Sequence, residues 1–488
     1  MKNQKQKLGY TENGINKEKK LLSISEFRRE VGIPLVLAKK MISWGEIEVA
    51  RAFNGTILIA SDEACRVKIL FKNRRRRVRY YLRALGPGII TGASDDDPSG
   101  IATYSAAGAK FGFALLWMAA WLLPMMIAIQ EVCARIGIVT NKGLSKVLLK
   151  HYKRRFVFLI VAILIIANVI NISANLGAMA ASARMLTGLN YYFLAIVFSA
   201  IILFSEIFLG YHRYVRFLKW LTFSLFAYIF AGFVVKPDWL LVLRESFIPE
   251  IRFEKDYIFA IIAIFGTTIS PYLFFWQTSE EVEENKVSKI FKKNPSRGRI
   301  KKMRMDVSSG MVLANVVSFF IILTTAQVLF KNGITEINSA EEAALALRPF
   351  VGHYAHLVFA LGIIGTGLLA IPILATSGAY ALSEVMNWKE GLDYKFSKAK
   401  GFYLIIIISV LLGLVANFFN INPIMALYFA AFANGIIALP LMIVIMIVGN
   451  NSKIMGKETH PIWVKFFGWL AVVFMTLSII ALIILNII

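Results

Sequence analysis

Eleven apolar stretches recur along this chain, at roughly 86–110, 113–137, 156–181, 192–211, 217–235, 256–277, 306–330, 355–383, 402–419, 424–449 and 463–487. Each is near or above the length of a helical bilayer crossing. Hydrocarbon offers no water to bond backbone N–H and C=O groups, so segments of this kind fold as helices that satisfy their own backbone. Composition agrees: 57% of the 488 residues are hydrophobic and 17% charged, with a mean hydropathy of +0.64, which excludes an ordinary soluble domain. The reading is an all-α, multi-pass membrane protein in a lipid bilayer.

Charge sets the orientation. The formal net charge is +24, and residues 1–85 hold 20 Lys/Arg against 8 Asp/Glu. "RRRRVRYYLR" (74–83) abuts the first span, where basic residues fix topology. The stretches 138–155, 212–219, 285–304 and 386–400 are also basic and fall on the side of the N-terminal arm. The loops 236–255 and 331–352 are neutral or acidic. This alternation predicts a cytoplasmic N-terminus and an outside C-terminus; a plasma (inner) membrane location is expected. No apolar core follows the basic start, so no cleavable signal peptide is expected. Cys65 and Cys133 form no CxxC and no metal-ligand spacing.

Four regions follow: a basic tail (1–20), a small cytosolic module (21–72), a basic juxtamembrane segment (73–85) and a transmembrane domain (86–488). In the module, "SISEFRREVGI" and "PLVLAKKMISWG" read as helices. "EIEVARAFNGTILIA" reads as a hairpin turning at Asn54-Gly55, and "SDEACRVKILF" as a helix capped by Ser61. The order resembles an excisionase-like winged helix. Nucleic-acid binding through 21–72 and an ordinary interaction role both stay open.

Two spans are interrupted. The first carries "GASDDDPSG" (92–100) and the sixth "AIFGTTISPYLFFWQ". An aspartate at the centre of a spanning helix costs on the order of 2.5–3.5 kcal/mol, so Asp95, Asp96 and Asp97 cannot all face lipid. Pro98 lacks an N–H and disfavours the helical region for Asp97, and Gly100 permits an unwound backbone. Gly266 and Pro271 are expected to break the sixth span in the same way. Breaks five spans apart, in helices that cross in opposite directions, point to a five-plus-five inverted-repeat transporter with its site at the midplane. A carboxylate beside freed carbonyls suits a cation. Asp95 and Asp96 are alternatively read as lining the inner entrance, and Asp97 as a cap of the half-helix.

These motifs resemble the Nramp divalent-metal transporters. "GPGIITGASDDDPSG" is similar to their first span, which carries an Asp-Pro-Gly-Asn signature. "FGTTISPYLFFWQ" is similar to their sixth, where Ala-x-x-Met-Pro-His is usual. The resemblance covers roughly 83–488 and includes "RIGIVTNKGLSKVL" and "EEAALALRPFVG". It implies the leucine-transporter type of inverted repeat, no enzymatic activity and no cofactor. It also places Asp97 at the family's metal-binding aspartate and Thr267 where a backbone carbonyl is supplied.

The departures are informative. Gly100 stands where the Asn ligand is expected, Ser270 replaces the methionine, and Tyr272 and Gln277 replace two histidines. Span 3 carries Asn168, Asn171 and Asn175 and no acid. These changes resemble the Nramp-related magnesium transporter branch. The implied metal site is Asp97, Asp96, Thr267 and Ser270. Asp95, Ser99, Gly100, Tyr272, Gln277, Asn171 and Asn434 are pocket or pathway residues. Without the thioether the site is all oxygen, which favours Mg²⁺ or Mn²⁺, and Gly and Ser are expected to leave room for the ion's waters. Titrating groups for a proton relay are missing from span 3. The expectation is uncoupled transport of partly hydrated Mg²⁺ or Mn²⁺. The alternatives are a proton-coupled Mn²⁺/Fe²⁺ importer using Asp95, Asp96 or Glu131, and a sodium-coupled organic-solute carrier of the same fold.

Overall fold

The computed structural model describes residues 21–32, 35, 38, 41–42, 47, 49–51, 57–71, 87–208, 225–287, 297–392, 394–419 and 421–487. They divide into two compact units: an N-terminal module grouped with Pro295–Lys302, and a helical unit of Pro87–Asn294 and Met303–Ile488. In the module, β1 (Leu21–Ser23), β2 (Val49–Arg51) and β3 (Ile57–Ala60) form an antiparallel sheet in the order β1-β3-β2. Helix α1 (Ile24–Val31) starts where Ser23 and Glu26 cap each other reciprocally. It stops at Gly32, whose φ of 73° suits glycine. Helix α2 (Ser61–Phe71) opens at Ser61 itself. Phe27, Val31, Ala38, Met41, Ile59 and Val67 make the core. The Asn54-Gly55 turn and most of the expected second helix lie outside the described residues.

In the helical unit, the first span is two helices, α3 (Pro87–Asp95) and α4 (Pro98–Phe111). The next are α5 (Leu116–Thr140), the short α6 (Leu144–His151), α7 (Arg154–Thr187) and α8 (Tyr191–Phe208). Then come α9 (Phe226–Val234) and α10 (Trp239–Phe247). The sixth span is again split, into α11 (Lys255–Thr268) and α12 (Pro271–Val287). The remaining long helices are α13 (Arg297–Val328), which belongs to this unit from Met303 on, α14 (Ala355–Met386), α15 (Lys400–Ala416), α16 (Pro423–Asn450) and α17 (Ile462–Ile487).

Each expected span meets a helix. Nine helical stretches among the described residues are long and apolar enough to cross a membrane by themselves. Spans 1 and 2 run on as one stretch, Pro98–Thr140, and α9 is too short to count alone.

Both breaks have a local cause. Asp97 is extended (φ −69°, ψ 172°) and accepts from the Gly100 N–H, so it caps α4 while Pro98 occupies the first helical position. The sixth span unwinds at Ile269–Ser270, and α12 restarts at Pro271. The broken sixth span is 94% buried over its apolar window, against 22% for α17. Interrupted backbone is thus packed in protein while an unbroken helix faces outward. Helix α7 packs on α14, α16 and α15, and α11 packs on α16 and α4, which brings spans 1, 3, 6 and 10 together.

One expected break is corrected. Gly266 lies inside the continuous helix α11. A Cβ there would stand 2.2 Å from both the Ala431 carbonyl oxygen and the Gly435 nitrogen. Its missing side chain lets α11 and α16 meet backbone to backbone.

Candidate metal site

The two oxygens of Asp97 have different surroundings. Oδ1 accepts from Ser99 Oγ at 2.5 Å and from the Gly100 N–H at 2.9 Å, which commits it to holding the start of α4. Oδ2 accepts from Asn175 Nδ2 at 3.1 Å, across from span 3. Ser99 Oγ also lies 3.3 Å from Thr267 Oγ1, so the two breaks touch directly.

At the sixth-span break, Ser270 Oγ lies 2.9 Å from the Gly266 carbonyl and 2.8 Å from that of Thr267. It thereby satisfies carbonyls that the end of α11 leaves without helical partners. The Thr267 carbonyl keeps a second lone pair, and the hydroxyl oxygen of Ser270 keeps its own. Tyr104 on α4 pairs with Thr268 at 2.9 Å, a further link between the breaks that the sequence reading missed.

The space expected at Gly100 is not open. A Cβ there would stand 3.2 Å from the Asp95 carbonyl and 3.3 Å from both Thr267 Oγ1 and Tyr104 Cε2. Glycine at this position allows close packing of the two breaks rather than a wide pocket.

Asp95 and Asp96 are buried with Asp97. Asp95 Oδ1 and Asp96 Oδ1 have no hydrogen-bond partner. No ion pair among the described residues joins any of the three to a Lys, Arg or His. Buried carboxylates are ordinarily paired, protonated or metal-coordinating, so this cluster has the electrostatics of a cation site or of a proton store. Among the described residues no three His, Cys, Asp or Glu side chains form a ready metal cage. A cation here would take backbone oxygens or its own waters as further ligands.

The remaining candidates sit around this centre. Tyr272 donates to the Ser94 carbonyl at 3.0 Å, fastening α12 to the end of α3. Gln277 accepts from Thr91 Oγ1 at 2.5 Å and donates to Glu281 at 3.0 Å. Asn171 and Asn434 exchange hydrogen bonds with each other, and Asn168 donates to the Leu374 carbonyl and Ser377 Oγ. Of the three span-3 asparagines, Asn175 alone reaches Asp97. It was not among the residues the sequence singled out as ligands, because nothing local distinguishes it from Asn168 or Asn171. Glu131 is fully buried and accepts from Arg135 at 2.5 Å and from Arg304 at 2.8 and 2.9 Å. Both its oxygens are engaged by guanidinium groups.

A family model described as "Natural resistance-associated macrophage protein-like" (Nramp) matches residues 88–485. The divalent metal cation transporter MntH of Klebsiella pneumoniae subsp. pneumoniae is 24% identical over 404 residues, spanning 81% of this chain and 91% of its own length. MntH from Klebsiella pneumoniae strain 342 is likewise 24% identical, over 407 residues, 81% of this chain and 92% of its own. Among solved structures, a manganese transporter of Eremococcus coleocola bound to an aromatic bis-isothiourea compound shares the fold. The TM-score is 0.66 at 19% identity, covering 81% of this chain and 85% of that one. The architecture is the leucine-transporter-type five-plus-five inverted repeat, broken in its first and sixth spans. With a family match that takes in nearly the whole helical unit and both breaks, this chain belongs to the Nramp family.

Proposed function

We propose that this protein transports divalent metal cations, and that its cargo is partly hydrated Mg²⁺, with Mn²⁺ accepted beside it, moved without proton coupling. The observation that carries the reading is Asp97, a buried carboxylate at a helix break with one oxygen held by the half-helix and the other turned to span 3. Every donor named around it is oxygen or amide, with Ser270 where a thioether would favour softer ions. Mg²⁺ keeps several waters and needs only one or two carboxylates. The relatives named as divalent metal cation and manganese transporters support the substrate class.

Uncoupled movement is supported by span 3, which offers amides at 168, 171 and 175, and by Glu131, whose oxygens are taken by two arginines. The positive-inside bias supports a cytoplasmic N-terminus. A proton-coupled Mn²⁺/Fe²⁺ importer fits about as well. The unpartnered oxygens of Asp95 and Asp96 favour it, because a buried carboxylate without a cation is a natural proton acceptor. A sodium-coupled organic-solute carrier is disfavoured, since Asp97 already occupies the N-terminus of α4 where a substrate carboxylate would bind.

Purified protein in liposomes, with Mg²⁺ and Mn²⁺ uptake and internal pH followed together, separates these readings. Both ions should enter faster under a negative-inside potential, worth about 4.6 kcal/mol per 100 mV for a divalent ion, at constant internal pH. Internal acidification stoichiometric with uptake, and lost in Asp95→Asn or Asp96→Asn, would select the proton-coupled importer.

A further inference from the structure

We propose that Asn175 is itself a ligand of the transported cation, its Oδ1 supplying from span 3 the amide oxygen that Gly100 cannot supply from span 1. This rests on the reading of Asp97 as the metal-binding carboxylate.

Asn175 is fully buried. Its Nδ2 donates to Asp97 Oδ2 at 3.1 Å, and its Oδ1 has no hydrogen-bond partner. Asn171, one turn away, uses both ends of its amide on Asn434. A buried amide oxygen left unpaired beside a carboxylate calls for an explanation, and a cation shared between the two oxygens provides one. The terminal torsion of an Asn side chain is broad and roughly two-fold, so a half-turn exchanges Oδ1 for Nδ2 with little other movement. Oδ1 then stands near 3.1 Å from Asp97 Oδ2. Adjacent corners of an octahedron with bonds of about 2.1 Å are about 3.0 Å apart, as Mg²⁺ requires.

Sterics favour the same wall of the site. A Cβ at position 100 would stand 3.2 Å from the Asp95 carbonyl and 3.3 Å from Thr267 Oγ1 and Tyr104 Cε2, so a side chain there is crowded while Asn175 already has its place. A neutral amide oxygen is also a hard donor that adds no charge to a cluster already holding three carboxylates, which suits a weakly held, transported ion.

The rival explanation is that Asn175 only donates to Asp97 and orients it. Asn175→Asp separates the two, because it removes the donor and adds an anionic ligand of the same shape. Mn²⁺ is titrated calorimetrically into the full-length, detergent-solubilised protein, and Mn²⁺ and Mg²⁺ uptake is measured in liposomes. Wild type, Asn175→Asp, Asn175→Leu and Asp97→Asn are compared, each with a monodisperse elution profile. The expected result is tighter Mn²⁺ binding in Asn175→Asp, binding weakened about 10- to 100-fold in Asn175→Leu, and none in Asp97→Asn. Weakened binding in Asn175→Asp, with Asp97→Asn still inactive, would overturn the ligand role of Asn175 alone. Normal binding and uptake in Asp97→Asn would overturn the reading of Asp97 and this inference with it.

Discussion

Asn171 on α7 and Asn434 on α16 exchange two hydrogen bonds, Nδ2 to Oδ1 at 2.8 Å in one direction and 3.0 Å in the other. Both side chains are buried. Each amide answers the other, so the pair closes on itself and ties span 3 to span 10 beside the breaks. Removing one partner leaves an amide unpaired in an apolar interior. Asn171→Leu and Asn434→Leu should each destabilise by about 1–2 kcal/mol. The double variant should cost less than the sum of the singles. Thermal unfolding in detergent across the four-member cycle measures this, and strict additivity would mean the two amides are not coupled.

Asp97 caps α4, and in the proposed function it also binds the ion; substitution separates the two roles. Asn caps a helix about as well as Asp, so Asp97→Asn should melt close to wild type yet fail to transport. Asp97→Ala should lose transport and also about 1 kcal/mol of stability from the lost cap. Uptake of Mn²⁺ in liposomes beside a thermal melt tests both. Normal uptake in the Asn variant would remove the carboxylate from the ion's path.

Ser270→Met replaces a hydroxyl that serves two backbone carbonyls with a thioether. Mg²⁺ uptake should weaken and inhibition by Cd²⁺ should strengthen, since sulfur prefers softer ions. This substitution is best made alone, because Gly100→Asn would force its neighbours apart. Unchanged Cd²⁺ sensitivity in the folded variant would show that position 270 does not face the ion.

His460, in the loop before α17, gives a pH signature outside the membrane. Burial pushes its imidazole down to about 3, helped by the charges of Arg135, Lys465 and Arg304. Neither ring nitrogen has a hydrogen-bond partner. An unfolded histidine binds a proton near pH 6.5. Between about pH 6.5 and 3 the unfolded chain therefore holds the extra proton, and stability falls as pH falls. This residue contributes a slope of up to about 1.4 kcal/mol per pH unit in that window and nothing above it. His460→Leu should flatten the acid side of a stability-versus-pH curve. An unchanged curve would mean His460 takes up its proton without unfolding.

What could be read in the chain by itself was what depends on near neighbours and on solvent. Apolar length set the spans, lysine and arginine placement set the expected orientation, and Pro98 and Pro271 marked the half-helix starts, since a proline's missing N–H acts within one turn. Even the capping role of Asp97 was open to local reasoning, because Gly100 is three residues away. Gly266 misled, because a glycine in an apolar run looks the same whether it unwinds a helix or lets another approach. Only Ala431 and Gly435, on a helix far along the chain, decided between these. The partners of Asn171, Glu131 and Asn175 lie 263, 173 and 78 residues away at Asn434, Arg304 and Asp97. An asparagine in a hydrophobic span declares that it needs a partner, and hydrogen-bond energetics guarantee that much. Which partner it finds depends on how helices cross, and the packing of all the spans together settles that. The tertiary fold therefore decided that Asn175, and neither of its two neighbours in span 3, meets the carboxylate at the break.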